Sequence, residues 1–237
     1  MQIVRVGGQY LEEREQGFWL LLTFTLALTV VALMILVSNY GTGLMWVGLP
    51  PILASIQLGR IVVRRLGSVR KGRLGERLVI DLLQRLPDDY WLINDVTLEG
   101  GRGNIDHVLV GPCGVVVIET KRLAGHIRCS GDDWYVNGYR RKSVSQQVNS
   151  AAVAVRYFLA ERHPQLAPRW VESVIVFTHP LCRLNVGRAQ AIIVRYSELL
   201  RVVLELAKRR RMQPQTAARL AQALLASQSK MPLSHSS

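Results

Sequence analysis

The chain has 237 residues, 49% of them hydrophobic, and a formal net charge of +13. That length admits one ordinary domain and a further segment. The three cysteines, widely spaced and without a CxxC or Cys/His ligand pattern, argue against a disulfide framework and a zinc site and fit a reducing compartment. The charge is lopsided: 28 of the 30 Lys and Arg residues, against 14 of the 17 Asp and Glu, lie beyond Leu58. Such an excess favours anionic partners, either nucleic acid or an anionic lipid surface.

In chain order, residues 1–17 are a short N-terminal segment, followed by 21 uncharged positions, FWLLLTFTLALTVVALMILVS (18–38), long enough to cross a bilayer as a helix. A second apolar stretch, Leu44–Leu58, follows the uncharged turn at Asn39–Gly43 and contains Pro50-Pro51. It reads as a kinked second span or a re-entrant segment, so that 18–58 is expected to form a transmembrane hairpin. The acidic flank LEEREQ and the length of the first run argue against a cleaved signal peptide. Residues 59–73 are a basic juxtamembrane linker with Arg60, Arg64, Arg65, Arg70, Lys71 and Arg73. Positive charge on that flank places it in the cytoplasm. Both termini and the remaining domain are then expected on the cytoplasmic side of the cell membrane, with residues 18–58 and the flank 60–73 meeting lipid.

The spacing of apolar residues in LGERLVIDLLQRL (74–86) predicts a helix, closed by Pro87. Strands are predicted at Tyr90–Leu98, Ile105–Val110 and Val115–Lys121, the last two joined through the turn GPCG, with short strands in His126–Tyr139. A helix over Ser145–Glu161 precedes strands at Val171–Thr178 and Ala191–Val194. Ser197 is placed to cap a helix over SELLRVVLELAKRRR. A last helix over Gln215–Ser227 and a disordered tail occupy 212–237. Residues 74–211 therefore read as an α/β domain, a mixed β-sheet flanked by helices.

The strand VVVIETK ends in a carboxylate and an ammonium, which are costly at the edge of a core unless something uses them. If Val110 faces Val115 across the hairpin, Asp106 falls opposite Glu119. Alternation puts Asp106, Glu119 and Lys121 on one face, with Cβ atoms of opposite residues about 4.5–5.5 Å apart. Two carboxylates at that distance repel, and a divalent cation such as Mg²⁺ would offset the repulsion with few protein ligands. Lys121 is placed to orient a water or to steady charge on a phosphate. That is a layout for metal-assisted phosphodiester hydrolysis. The plainer alternative is a surface Glu–Lys pair with Asp106 satisfied by loop amides. Alternation turns His107 to the opposite face, where it reads as a packed, hydrogen-bonded histidine. Trp91, Trp134 and Tyr135 read as core or sheet-edge residues, with base stacking as the alternative. Lys208–Arg211 reads as a solvated helix end, or else a nucleic-acid or lipid contact.

GRLGE (72–76), GNIDHVLVGPCGVVVIETKRLAGHI (103–127), Trp134 and SVSQQVNSAAVAVRYFL (143–159) resemble the NERD, or nuclease-related, domain of the PD-(D/E)XK nuclease-like superfamily, over roughly residues 70–180. The resemblance implies a restriction-endonuclease-like core acting on DNA or RNA with Mg²⁺ or Mn²⁺. It implies Asp106 and Glu119 as metal-binding acids, Lys121 as the lysine of the ExK half-motif and Glu76 as a further helix acid. A glutamine at the start of the following helix completes such sites. Gln146 fits the family's Asn-Pro-x-x-Gln, with Lys142 and Ser143 in place of Asn and Pro, and Gln147 stands one step away. Three functions follow: a membrane-anchored nuclease, a non-catalytic nucleic-acid-binding or scaffold module at the membrane, or a membrane protein whose basic flank only engages lipid. The last leaves the acidic set unexplained.

Overall fold

A computed structural model describes residues 1–3, 9–42, 49–98 and 103–229. Residues 43–48 at the start of the second apolar stretch, most of the GGRGN loop and the tail from 230 lie outside the described residues. The chain divides into two compact units, Gln9–Arg73 and Leu74–Ser237 with Met1–Gly8.

The first unit holds α1 (Gln9–Ser38) and most of α2 (Leu49–Leu83). Thr29 donates to Ser55 across the pair (2.8 Å). The Glu15 carboxylate accepts from Arg70 (2.9 Å) and Arg73 (3.2 Å), and the Arg70 guanidinium lies 5.5 Å from the Trp19 ring centroid. Residues Glu15–Ser38 of α1 are long and apolar enough to cross a membrane, and among the described residues they are one such helix, not two. The expected transmembrane hairpin is supported in its first span alone, since the start of the second stretch lies outside the described residues. The described part of the second stretch opens a 35-residue helix that meets Arg60, Arg64 and Arg65 soon after its apolar start. Pro50 and Pro51 cause no kink, because they sit in the first turn, where the missing N–H has no helical partner to lose. With no further proline before Pro87, the stretch read as a linker, 59–73, is helical as well.

The second unit is mixed α/β, with two mixed sheets flanked by helices. Its large sheet runs β1 (Gln2–Ile3), β2 (Trp91–Val96), β3 (Ile105–Gly111), β4 (Gly114–Lys121), β8 (Val171–Phe177) and β10 (Ile192–Arg195). β2, β3 and β4 are antiparallel neighbours; β4, β8 and β10 are parallel, with α3 (Val144–Arg162) in the connection from β4 to β8. A strand buried on both faces carries apolar residues without alternation, which is why β4 and β8 read as continuous runs. One face of the sheet, with Val108, Val110, Val115 and Val117, packs on Val148 and Val155 of α3 and on Leu220 and Leu224 of α5 (Pro214–Ser229). The other, with Leu109, Val116 and Ile118, packs on Val79 and Leu83 of α2 and on Val203 and Leu206 of α4 (Leu199–Arg210). α5 is thus part of the core rather than an appendage, since Ala217, Leu220, Ala221 and Leu224 are fully buried.

The small sheet has the order β7 (Tyr139–Arg141), β6 (Asp133–Val136), β5 (Gly125–Ser130) and β9 (Cys182–Val186). β9 was not legible in CRLNV, a short segment held by its parallel partner β5 rather than by an apolar period of its own. Ser197 does not cap α4. A 3-10 turn at Tyr196–Glu198 precedes the helix, and the Glu198 carboxylate accepts from the Arg195 N–H (2.9 Å).

Candidate active site

The β3–β4 ladder pairs Val110 with Val115 and His107 with Ile118, the register expected from the sequence. The turn is tighter than GPCG suggests. Gly111 pairs with Gly114, leaving Pro112-Cys113 as a two-residue loop, and Gly114 takes φ 86°. Beyond His107 the ladder stops, and Asp106 and Glu119 come next on their strands. There the Asp106 side chain takes over from the backbone: its Oδ2 accepts from the Thr120 N–H at 2.8 Å.

Glu119 is buried at 4% exposure, an expensive place for a carboxylate without partners. It has two. Lys121 Nζ donates to Glu119 Oε1 (2.5 Å), and Gln147 Nε2 donates to the same oxygen (2.8 Å). Lys121 Nζ also lies 3.4 Å from Gln147 Oε1, which closes a triangle of Glu119, Lys121 and Gln147. Alternation along β4 turns Glu119 and Lys121 to the same face, and α3 starts above that face, which brings Gln147 in.

Asp106 has the more strained electrostatics. Burial raises its pKa well above the ordinary aspartate value, and the charges of Glu119 and Glu76 raise it further. The Thr120 N–H and the Lys121 ammonium pull the other way. Glu76 therefore acts on Asp106 although it comes from α2. Gly75 permits this approach: a Cβ there would sit 2.9 Å from Thr178 Oγ1 and 3.1 Å from Thr120 Cγ2. Only a glycine lets α2 lie so close to the end of β4.

The structure thus brings Asp106, Glu119, Lys121 and Gln147 to one strand end, with the charge of Glu76 felt there. Gln146 is placed elsewhere. Its Nε2 donates to Asp132 Oδ2 (3.2 Å), and its backbone N–H donates to Ser143 Oγ, the N-cap of α3 (3.1 Å). The glutamine at the site is Gln147, and the preference for Gln146 is corrected. A signal for this was present in the sequence. Gln147 lies three residues after Val144 and four before Ala151, on the apolar stripe that also carries Val148 and Val155, whereas Gln146 lies off it.

His107 is on the opposite face and fully packed. Its Nδ1 lies 2.7 Å from Asn94 Oδ1, an acceptor, so Nδ1 carries the hydrogen. Among the described residues Nε2 meets no partner, and burial drives the pKa down to about 3, which keeps the ring neutral. Trp134 is a core residue as well: it is buried, its Nε1 donates to Ser145 Oγ (3.1 Å), and its ring stacks on Phe177.

Every side-chain atom at this strand end that could ligate a cation is an oxygen, and Asp106 is buried beside a second carboxylate whose charge opposes its ionisation. That chemistry fits a hard divalent ion such as Mg²⁺ or Mn²⁺ rather than a soft or borderline one. Among the described residues no three His, Cys, Asp or Glu side chains are grouped so as to hold a metal ion, so Asp106, Glu119 and Glu76 do not form the three-acid set the resemblance implies. Mg²⁺ does not need such a set, because one or two carboxylates with water satisfy it.

Residues 71–178 match the family model of the nuclease-related domain, NERD. Over those residues the chain is similar to the NERD family, whose general setting is the PD-(D/E)XK nuclease-like superfamily. It is also 30% identical over 146 residues to an uncharacterized protein of Bacillus anthracis, a match covering 56% of this chain and 66% of the relative. No solved structure matches the chain.

Proposed function

We propose that the second unit hydrolyses phosphodiester bonds of DNA or RNA with the aid of Mg²⁺ or Mn²⁺, and that α1 holds it at a membrane. One observation carries the reading: Asp106, Glu119, Lys121 and Gln147, from three separate places in the chain, meet at the open end of one hairpin. Asp106 and Glu119 would hold the metal, with the charge of Glu76 acting on Asp106. A metal bound there supplies Lewis acidity toward a phosphoryl oxygen and a water molecule. The protein's own groups do the rest. The Thr120 N–H fixes one oxygen of Asp106, and Gln147 fixes one oxygen of Glu119, so neither carboxylate must reorganise when substrate arrives. Lys121, with three donors on a flexible four-carbon stem, orients a water or steadies negative charge on the phosphate. The basic balance of the chain beyond Leu58 suits a polyanionic substrate. The Arg60–Arg73 flank, following an apolar helix, suits a cytoplasmic side and contact with anionic lipid.

A second reading, a non-catalytic nucleic-acid-binding module, draws on one feature: the Lys121 ammonium and Gln147 already occupy one oxygen of Glu119. Cleavage of a DNA and RNA panel by the detergent-solubilised chain separates the two. Cutting that needs Mg²⁺ or Mn²⁺, stops with chelator and disappears in Glu119→Gln supports the enzyme. Binding with no cutting under any metal supports the module.

A further inference from the structure

In the small sheet β5 and β6 alternate. Ile127, Cys129 and Trp134 are buried, and Val136 is nearly so. Its other face is exposed and cationic. The strand register places Arg140 beside Tyr135, Tyr135 beside Arg128 and Arg128 beside Asn185, one row across all four strands. His126 and Arg183 form the neighbouring row. The Arg128 guanidinium lies over the Tyr135 ring, 4.7 Å from its centroid. His126, Arg128, Tyr135, Arg183 and Asn185 line a cavity of about 280 Å³. Three arginines share this face with one acid, Asp133, which accepts from Arg140 (2.9 Å) at the solvent-exposed edge, where such a pair contributes little.

The sheet is tied to the candidate site at both ends. β5 leaves β4 directly, and five residue steps separate Lys121 from His126, so their Cα atoms lie within about 18 Å. Gly125 holds that junction. It takes φ 92°, and a Cβ would meet the Asn137 side chain, whose Oδ1 accepts from the His126 N–H (2.8 Å). At the far end Asp132, in the β5–β6 turn, accepts from Ser143 (3.3 Å) and Gln146 (3.2 Å) at the start of α3, the helix that supplies Gln147. The Trp134–Ser145 bond clamps the buried face to the same turn of helix.

We infer that the exposed face of this sheet, through Arg128, Arg140 and Arg183, is a docking surface for the sugar–phosphate backbone of a nucleic-acid strand, next to the site but separate from it. The identity of the occupant rests on the nuclease-related reading of that site. Charge complementarity supports it. Arg140 lies two strands from Arg128, about 9.6 Å away, and Arg183 is the diagonal neighbour of Arg128 on the adjacent strand, so the three cations repel one another without an anionic partner. A flat cation on an aromatic ring also offers a stacking platform for an unpaired base. The distance to Lys121 corresponds to about five nucleotides at about 3.4 Å each. One strand can therefore lie on the sheet and reach the site.

The test is equilibrium binding of fluorescein-labelled single-stranded DNA and RNA oligonucleotides to the full chain in detergent, with chelator present, over a salt series. Arg128→Ala/Arg183→Ala is expected to bind about ten-fold more weakly at about 0.1 M salt. The slope of log K against log salt should become shallower by about 1.4, about 0.7 for each of two phosphates on a single strand that the variant no longer neutralises. Arg128→Lys/Arg183→Lys should restore most of the slope, and it carries the test if the alanine variant does not fold. Unchanged affinity and slope in the alanine variant overturns the inference, even if the wild type cuts. Weaker binding by that variant, with no cutting by the wild type, leaves the inference standing and removes the enzyme reading. Weaker binding only to phosphatidylserine vesicles assigns the face to lipid and also overturns it.

Discussion

The two ends of the β3–β4 hairpin share one ladder and differ in what they enclose. At the turn, everything is apolar or locally satisfied. Gly111 lies against the Tyr90 ring, where a Cβ would come within 2.6 Å. The Pro112 carbonyl accepts from the Met212 N–H (3.2 Å), and the Cys113 thiol is buried. At the open end, two carboxylates and an ammonium sit in partly dehydrated surroundings, and the Asp106 pKa is held well above the usual range by burial and by Glu119 and Glu76. The turn end is built for stability. The open end gives stability up, as sites with a chemical task do. Substitutions should therefore separate: activity lost without stability at one end, stability lost without activity at the other.

The largest effect is expected from Glu119→Gln. It should lower metal-dependent cleavage by about 1,000-fold, on the order of 4 kcal/mol. Its thermal midpoint should stay level or rise, because one of two opposed charges is gone. A large fall in melting temperature with the same loss of cutting would make Glu119 a structural residue and erase the contrast between the ends. Gly111→Ala is the converse. Crowding Tyr90 should cost about 1–3 kcal/mol in denaturant unfolding, while the folded fraction cuts at the wild-type rate. A loss of specific activity there would show that the ends are coupled.

A finer split lies inside α3. Gln147→Ala should reduce cleavage about 10–100-fold, as removal of a group that orients a ligand does. Gln146→Ala should change it less than about two-fold, because it loses only a hydrogen bond at a helix cap. Equal effects would reopen the choice between the two glutamines. The smallest effect concerns Cys113, whose pKa burial raises to about 12 from 9.0. Since the folded value lies above the unfolded one, the thiol's contribution to stability is complete below about pH 9 and fades as the pH climbs toward about 12. At about pH 8, below both values, an alkylating reagent should label Cys113 only at the rate of unfolding. Fast labelling of the native protein would show that the turn end opens.

Much of the site was readable in the primary structure, and particular residues show why. Asp106 and Glu119 were paired by counting outward from the Val110–Val115 contact, because a tight hairpin transmits its register without error along both strands. His107 was set aside by the same alternation and is indeed packed against Asn94. Gln147 was left as the second choice because a one-residue shift on a helix turns a side chain by about 100°, and the match to the family motif outweighed the apolar stripe. Among the described residues the second apolar stretch does not stand as a span of its own. Apolar composition is a local property, but the end of a helix depends on the residues beyond the apolar run, and α2 continues through its arginines.

By itself, the sequence determined the strands of the large sheet other than β1, their alternation, the register of the hairpin and the placing of Asp106, Glu119 and Lys121 on one face. These follow from interactions between residues near one another along the chain, where the period of two and the length of a turn leave little freedom. Tertiary structure decided which glutamine reaches Glu119, that Gly75 brings Glu76 close enough to act on Asp106, that α5 completes the core, and that three arginines from β5, β7 and β9 share one face. Each depends on contacts between segments distant in sequence, whose geometry is set by packing and not by local propensity.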